Sequence, residues 1–332
     1  MEPRLKVDFP MQVALPHLDA RLTASGVTTA YAAVSFSRGT RDGERRFFEH
    51  TSGTIRTLHA LRGDCRVDHR IHARFDITFD NAVAVIADLI AAGTVDLVSL
   101  MDHTPGQGQY RDIERHIAHV AAHRGVSQTE ARQIVTTRIA ERSRPQQVLL
   151  DNMRQVSELC RGHGVPLASH DDDTEEKAHL MAELGAAIGE FPVTLEAARA
   201  TADRGMMNAM GAPNALRGQS YSGNLSARQA HAEGLLHILA ADYHPGAILP
   251  AIQVLAGTDP KGLARAAALA TANPAKALGL DDRGRLQPGL RADLAVVDPA
   301  GMGRVIASFS RGEVIFSNGS LPGLAERVQA VA

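Results

Sequence analysis

Short apolar runs alternate with amphipathic helical patterns along nearly the whole chain, and this alternation limits the fold more than any other feature. Residues 26–34, 69–77, 97–101, 166–169, 187–191, 206–210 and 238–240 each have the length and composition of a buried strand. Helical periodicity lies between them, at 82–92, 127–141, 147–161 and 195–204. Ser127-Gln128-Thr129-Glu130 is a capping box that starts one of these helices. Strands joined through helices cannot pair as hairpins, so they form a parallel sheet. The expected fold class is α/β, a barrel of the TIM (β/α)8 type. The polar helical stretch 107–145 interrupts the rhythm and reads as an inserted helical pair over the barrel mouth. After about residue 277, Gly279, Gly284, Pro288 and Gly289 punctuate the chain, and 292–297 and 314–316 read as strands. The expected division is a barrel over 1–280 and part of a small β-sandwich domain over 281–332.

Polar residues gather where the strands end. Asp102-His103 follow 97–101, and His170-Asp171-Asp172-Asp173 follow 166–169. Glu190 lies near the end of 187–191, Asn214 and Arg217 follow 206–210, and Asp242 follows 238–240. Five such clusters in register imply one shared face, and in a barrel that face carries the chemistry. Imidazole and carboxylate are the usual ligands of hard or borderline divalent cations. His170 is therefore the leading ligand candidate, with a simple strand-end polar residue as the alternative. His72, Arg74 and Asp76 share one strand face by period two, and the lumen mouth suits three polar groups better than the helix layer. Asp102 and His103 are neighbours, so one of them points inwards; His103 is expected to touch the substrate or a ligand residue.

Arg217, Ser220, Ser222 and Asn224 belong to a Gly- and hydroxyl-rich loop. Backbone N–H groups, hydroxyls and guanidinium suit phosphate oxygens. With Arg4, Lys6 and Arg74 the loop reads as a polyphosphate cradle, against a solvated loop with a structural arginine. His179, His231, His237 and the histidines within 115–123 read as helix-face residues.

The 332-residue chain is 44% hydrophobic and carries a formal net charge of -2, so nothing draws it as a whole to nucleic acid or to an anionic membrane. Any polyanionic substrate must be held by a local group of Arg and Lys. Cys65 and Cys160 lack metal-type spacing and read as reduced thiols of a cytoplasmic protein. No apolar run approaches the roughly 20 residues of a membrane span, and no signal-peptide core follows Met1. Metal identity, metal number and assembly into a homo-oligomer stay open at this level.

The segment Asn273-Pro274-Ala275-Lys276-Ala277-Leu278-Gly279, followed by Gly284-Arg285-Leu286-Gln287-Pro288-Gly289-Leu290-Arg291-Ala292-Asp293-Leu294, resembles the C-terminal signature of the amidohydrolase superfamily. Met101-Asp102-His103-Thr104-Pro105-Gly106-Gln107, Ser169-His170-Asp171-Asp172, Met210-Gly211-Ala212-Pro213-Asn214 and Arg217-Gly218-Gln219-Ser220 narrow the resemblance. They are similar to the PhnM branch, the diphosphatases of phosphonate metabolism. This resemblance implies a metal-dependent TIM barrel flanked by a small β-sandwich. It implies hydrolysis of α-D-ribose 1-methylphosphonate 5-triphosphate, a phosphorylated ribose-phosphonate, to the 5-phosphate and pyrophosphate. It also implies a divalent cation, zinc first and manganese or iron next. Asp242 would bind this cation and take a proton from the attacking water, and His170 would be a ligand. Asp76 stands where the branch usually carries glutamate, and bridging ligand and hydrogen-bond partner are equal expectations for it. Asp171 and Asn214 are expected among the substrate contacts. The branch places a first barrel strand with a His-x-Asp motif before its Pro-x-x-Lys-Val-Asp block. Here that block starts at Pro3, so the expectation is a barrel without its first strand and two ligands. The alternatives are another amidohydrolase activity, such as deamination or deacetylation, and a non-catalytic barrel that binds a ligand or partner.

Overall fold

The computed structural model describes residues 9–36, 48–79, 82–220 and 223–321. Seven strands form one parallel sheet in chain order: β1 (Thr29–Phe36), β2 (Asp68–Asp76), β3 (Leu97–Met101), β4 (Leu167–His170), β5 (Ile188–Glu190), β6 (Met207–Gly211) and β7 (Ile238–Ala240). Among the described residues β1 and β7 do not pair with each other, so the curled sheet has two edges. The helices cover its outer face, as crossovers between parallel strands require.

Period two decides what each face holds. On β2, Ile71, Ala73 and Phe75 are fully buried and face the helix layer. There they join Phe36, Ile55, Ile86, Leu89 and Val156 in the main apolar cluster. Truncating a side chain such as Phe75 to alanine would cost about 3–5 kcal/mol. The inward face has two levels. Leu97, Ala168, Ile188, Ala209 and Ile238, one from each of β3 to β7, make an apolar floor, with Ala277 and Leu278 packed against it. Above it, nearer the strand ends, Arg74 pairs in register with Ser99, and His170 with Glu190. The polar groups therefore stand together at the C-terminal mouth.

The inserted stretch forms helices Ile113–Arg124 and Gln128–Arg142. Ser127 and Glu130 make the reciprocal capping box expected of them. Ile117, Val120, Ala121, Ala131 and Val135 hold the two helices together. The second helix returns to the barrel through Arg142, whose Nη1 donates to Asp76 Oδ2 at 2.8 Å and whose guanidinium lies 5.7 Å from the Phe79 ring centre.

Beyond the barrel strands, β8 (Leu294–Asp298), β9 (Arg304–Ser310) and β10 (Glu313–Ser317) form an antiparallel sheet with β9 in the middle. It rests on the helix Met11–Ala24, where Ser308 Oγ donates to the Thr23 carbonyl at 2.8 Å. Gly26 ends that helix at φ +80, and a Cβ there would meet Ala295 and Val305 at 3.3 and 3.4 Å. Glycine thus permits both the turn and the close approach of the small sheet. This turn is also why β1 begins at Thr29 instead of residue 26. No described helix is long and apolar enough to cross a membrane.

Candidate active site

Three non-glycine residues adopt left-handed backbone just beyond the barrel strands: Asp171 (φ 58) after β4, Phe191 (φ 55) after β5 and Asp242 (φ 55) after β7. Such conformations cost of order 1 kcal/mol each and gather where a site re-aims its side chains. The left-handed turn at Asp171 divides the four-residue cluster that follows β4. Asp171 lies against two imidazoles, with Oδ2 3.0 Å from His170 Nδ1 and 3.4 Å from His103 Nε2. Asp172 turns to the other side, where its Oδ2 accepts from Ser169 Oγ and Lys177 Nζ lies 3.8 Å from Oδ1. Asp173 accepts from the Gly108 N–H at 2.9 Å and so fastens the loop after β3. One acid faces the site and two hold its frame.

His103 Nε2, His170 Nδ1 and Asp171 Oδ2 are all buried without an aligned hydrogen bond, although they lie near one another. Their ligand atoms fall within 4.8 Å of each other. Each buried unpaired polar atom costs about 1–3 kcal/mol, and such a group needs an explanation. A divalent cation satisfies all three at once, and two imidazoles with a carboxylate are a suitable donor set for one. The other nitrogen of His170 is engaged, because Arg74 Nη2 donates to Nε2 at 2.7 Å. Arginine cannot accept, so Nε2 carries the lone pair and the ring proton sits on Nδ1, near Asp171 Oδ2 but out of line with it. A cation bound at Nδ1 would displace that proton, and Arg74 would then release Nε2.

The lumen beneath this trio is unusually charged for its burial. Burial pushes Glu190 up to about 7, against the opposing pull of Arg74 and a hydrogen bond with Ser99. His72 donates to or accepts from Ser99 Oγ at 2.8 Å and lies 3.7 Å from Glu190. Burial, with Arg74 and His170 adding to it, pushes His72 down to about 3. His170 falls to about 4, mainly through burial, with Asp171 opposing and Arg74 assisting. Burial alone would raise Asp171, but His170 and His103 together hold it below the usual carboxylate range. Asp242 has solvent on one side, yet the mouth withdraws enough water to raise its carboxyl above the usual range, against the charge of Arg74. Gly211 at the end of β6 makes room for it: a Cβ there would lie 3.0 Å from Asp242 Oδ2.

The expected site residues part company here. His170, His103, Asp171 and Arg74 are brought together, with Asp242 at the same mouth. Asp76 stays outside this group. Its Oδ1 accepts from the N–H and hydroxyl of Thr78, at 3.1 and 2.6 Å, and its Oδ2 from Arg142. Of the two expectations for Asp76, these contacts are those of a hydrogen-bond partner. Both ends of the Asn214 amide are engaged within its own loop: Nδ2 donates to the Leu225 carbonyl and Oδ1 accepts from the Ala227 N–H, at 3.4 and 3.0 Å. It staples the loop after β6. Arg217, Ser220 and Asn224 line an open groove of about 470 Å³ beside the mouth, together with Arg115 from the inserted helix. Lys6, Arg4 and Ser222 lie outside the described residues. Sequence reasoning places Glu190 and His72 on the strand-end face without assigning them a role and passes over Ser99, whose in-register place beside Arg74 only the sheet reveals. Arg115 carries no signal in the sequence, because only the fold brings residue 115 to residue 223.

A parallel barrel-type sheet with imidazoles and carboxylates converging at its C-terminal strand ends defines a class, the metal-dependent hydrolases built on a TIM-type barrel. Within that class the chain belongs to the amidohydrolase family, whose profile matches residues 91–317. It is 38% identical over 298 residues to the alpha-D-ribose 1-methylphosphonate 5-triphosphate diphosphatase of Escherichia coli (strain K12), covering 89% of this chain and 78% of that protein. Among solved structures, the β-aspartyl dipeptidase of Fervidobacterium islandicum AW-1 is similar at a TM-score of 0.56 and 14% identity, over 92% of this chain and 79% of that one. The dihydropyrimidinase of Brevibacillus agri NCHU1002 is similar at 0.55 and 12% identity, over 92% and 80%. Both likenesses concern the fold alone.

Proposed function

We propose that this chain hydrolyses α-D-ribose 1-methylphosphonate 5-triphosphate to the 5-phosphate and pyrophosphate. The observation that carries the reading is a juxtaposition. A buried trio with unsatisfied ligand atoms and a groove with two guanidiniums and no acid open at the same strand-end face. The diphosphatase activity of the 38% identical relative supplies the substrate class.

A divalent cation held by His103, His170 and Asp171 would act as a Lewis acid towards a phosphoryl oxygen and ease ionisation of the attacking water. Zinc is the first candidate, then manganese or iron. Asp242 takes the proton from that water, and its raised carboxyl makes it a better base than an ordinary aspartate. Glu190, near 7, can hold or give a proton at neutral pH. Arg74 and Arg217 offset charge on the phosphoryl oxygens, which is most of what such a transfer asks of a protein. Further parts of the reading are a barrel over 1–280, a β-domain over 281–332 and a cytoplasmic setting.

Phosphorus NMR tests the activity. Purified protein supplied with zinc or manganese should convert the triphosphate to the 5-phosphate with a pyrophosphate signal. Asp242→Asn and His170→Asn should each abolish it. Orthophosphate as the released product, or undiminished rates in either variant, would reject the proposal.

A further inference from the structure

The groove beside the mouth lies between the loop after β6 and the first inserted helix, Ile113–Arg124. Its walls are Arg115, Arg217, Gln219, Ser220, Asn224 and Gln229, with two glycines and a serine between them. Neither guanidinium has a carboxylate partner among the described residues. Glu114, the acid beside Arg115 in sequence, is held by both Nη atoms of Arg132 at 2.7 Å, and Asp112 caps the helix by accepting from the Arg115 N–H at 3.0 Å. The local acids are thus committed elsewhere and leave Arg115 uncompensated. An apolar ligand would find nothing here to bury against, and a cation would be repelled. Paired guanidiniums among amides and hydroxyls suit an anion with many oxygens.

Gly223 shows that the position of Arg115 is built into the loop. A Cβ at residue 223 would fall 2.2 Å from both Arg115 Nη atoms and 2.5 Å from Cζ, and the backbone has φ +69. The left-handed backbone favours glycine, and a Cβ here would push the guanidinium end of Arg115 aside. The groove is tied to the buried trio through the loop after β3. Asn224 Nδ2 donates to the Gln109 carbonyl at 3.5 Å, and the neighbouring Gly108 would touch the Asp171 carbonyl, at 3.1 Å, with any side chain.

We propose that Arg115, delivered by the helical insertion and seated on Gly223, forms with Arg217, Ser220 and Asn224 a subsite for the outer phosphates of a polyphosphate chain. The inference deepens the proposed activity and rests on it for the identity of the full substrate. The subsite sets which substrates are accepted: it engages a triphosphate and has nothing for a monophosphate to reach.

The test is calorimetric titration of the metal-free full chain with inorganic tripolyphosphate, so that binding is read without turnover. Wild type should bind tripolyphosphate well above orthophosphate. Arg115→Gln should weaken it by about tenfold or more, as expected when a guanidinium contact to an ionised oxygen is lost. Arg115→Lys should fall between, and Gly223→Ala, which displaces the guanidinium without removing it, should also weaken binding but by less than Arg115→Gln. Unchanged thermal midpoints confirm that the variants fold, and Arg115→Lys answers the question if Gly223→Ala does not. Equal affinity of wild type and Arg115→Gln, or no preference for tripolyphosphate over orthophosphate, overturns the subsite. Pyrophosphate release with an unchanged KM in Arg115→Gln also overturns it while leaving the activity intact. Arg115-dependent tripolyphosphate binding without hydrolysis of the ribose triphosphate does the reverse.

Discussion

The two ends of strand β2 each carry a buried group that could hold a metal, and the groups differ in one respect. At the N-terminal end Asp19, Cys65 and His69 come together; at the C-terminal end the strand delivers Arg74 to His103, His170 and Asp171. Asp19 is fully used. Oδ1 accepts from the Val67 N–H and pairs with His69 Nε2, and Oδ2 accepts from the Arg66 N–H, all within 3.1 Å. At the other end the three ligand atoms face one another without an aligned hydrogen bond. Similar residue types thus serve opposite ends. Satisfied polar atoms tie Met11–Ala24 to the barrel floor, whereas unsatisfied ones mark a place where something is to bind.

Exchanging the acids would sharpen this contrast most. Asp171→Asn should lower pyrophosphate release by about a hundredfold or more. Its thermal midpoint should fall little, because the amide keeps the shape of the carboxylate and no aligned hydrogen bond of Asp171 Oδ2 is lost. Asp19→Ala should do the opposite, costing about 3–5 kcal/mol by leaving His69 and two backbone N–H groups without their acceptor. Activity per folded molecule should survive in it. Chemical denaturation beside a turnover assay reads both, and a stability loss in Asp171→Asn larger than in Asp19→Ala would break the contrast.

A smaller effect follows from Glu190. Its carboxyl is raised by burial from 4.5 to about 7, so across that window the folded metal-free chain keeps a proton that the unfolded chain has lost. Stability contributed by this group therefore falls as pH rises from about 4.5 to 7. His72, lowered to about 3, acts in the other direction between about 3 and 6.5. Glu190→Gln removes only the first influence. Its thermal midpoint should gain on wild type between pH 4.5 and 7 and hold a constant lead above that, at roughly 2 °C per kcal/mol. A difference that ignores pH would contradict the burial assigned to Glu190.

The smallest effect concerns the thiols. Burial, assisted by Asp19 and Asp64, pushes Cys65 up to about 11, and burial pushes Cys160 up to about 12. Both should label slowly at pH 8 in the folded chain, and added zinc should leave the rate at Cys65 unchanged. Protection of Cys65 by zinc would move the metal to the wrong end of β2.

Much of this fold could be read from hydrophobic period. The expected runs 97–101 and 238–240 coincide with β3 and β7, and the other barrel strands shift by a few residues at their ends. The helix Met11–Ala24 carries an internal Pro16 and a weak apolar stripe, so its packing under the small sheet is what keeps it helical. Strand-end residues were legible as a set but not in their roles. Alternation holds only while the chain stays extended, and Asp171 leaves the strand in a left-handed turn. That turn decides which of three consecutive acids faces the imidazoles. The Arg142 contact of Asp76, the loop staple of Asn214 and the seat of Arg115 on Gly223 depend on tertiary neighbours far away in sequence.

Anomalous diffraction from crystals grown with zinc or manganese places the metal directly. We expect a peak among His103, His170 and Asp171, with Arg74 withdrawn from His170, and none beside Asp19. A peak at Asp19, Cys65 and His69 with the trio empty would contradict the assignment of the active site.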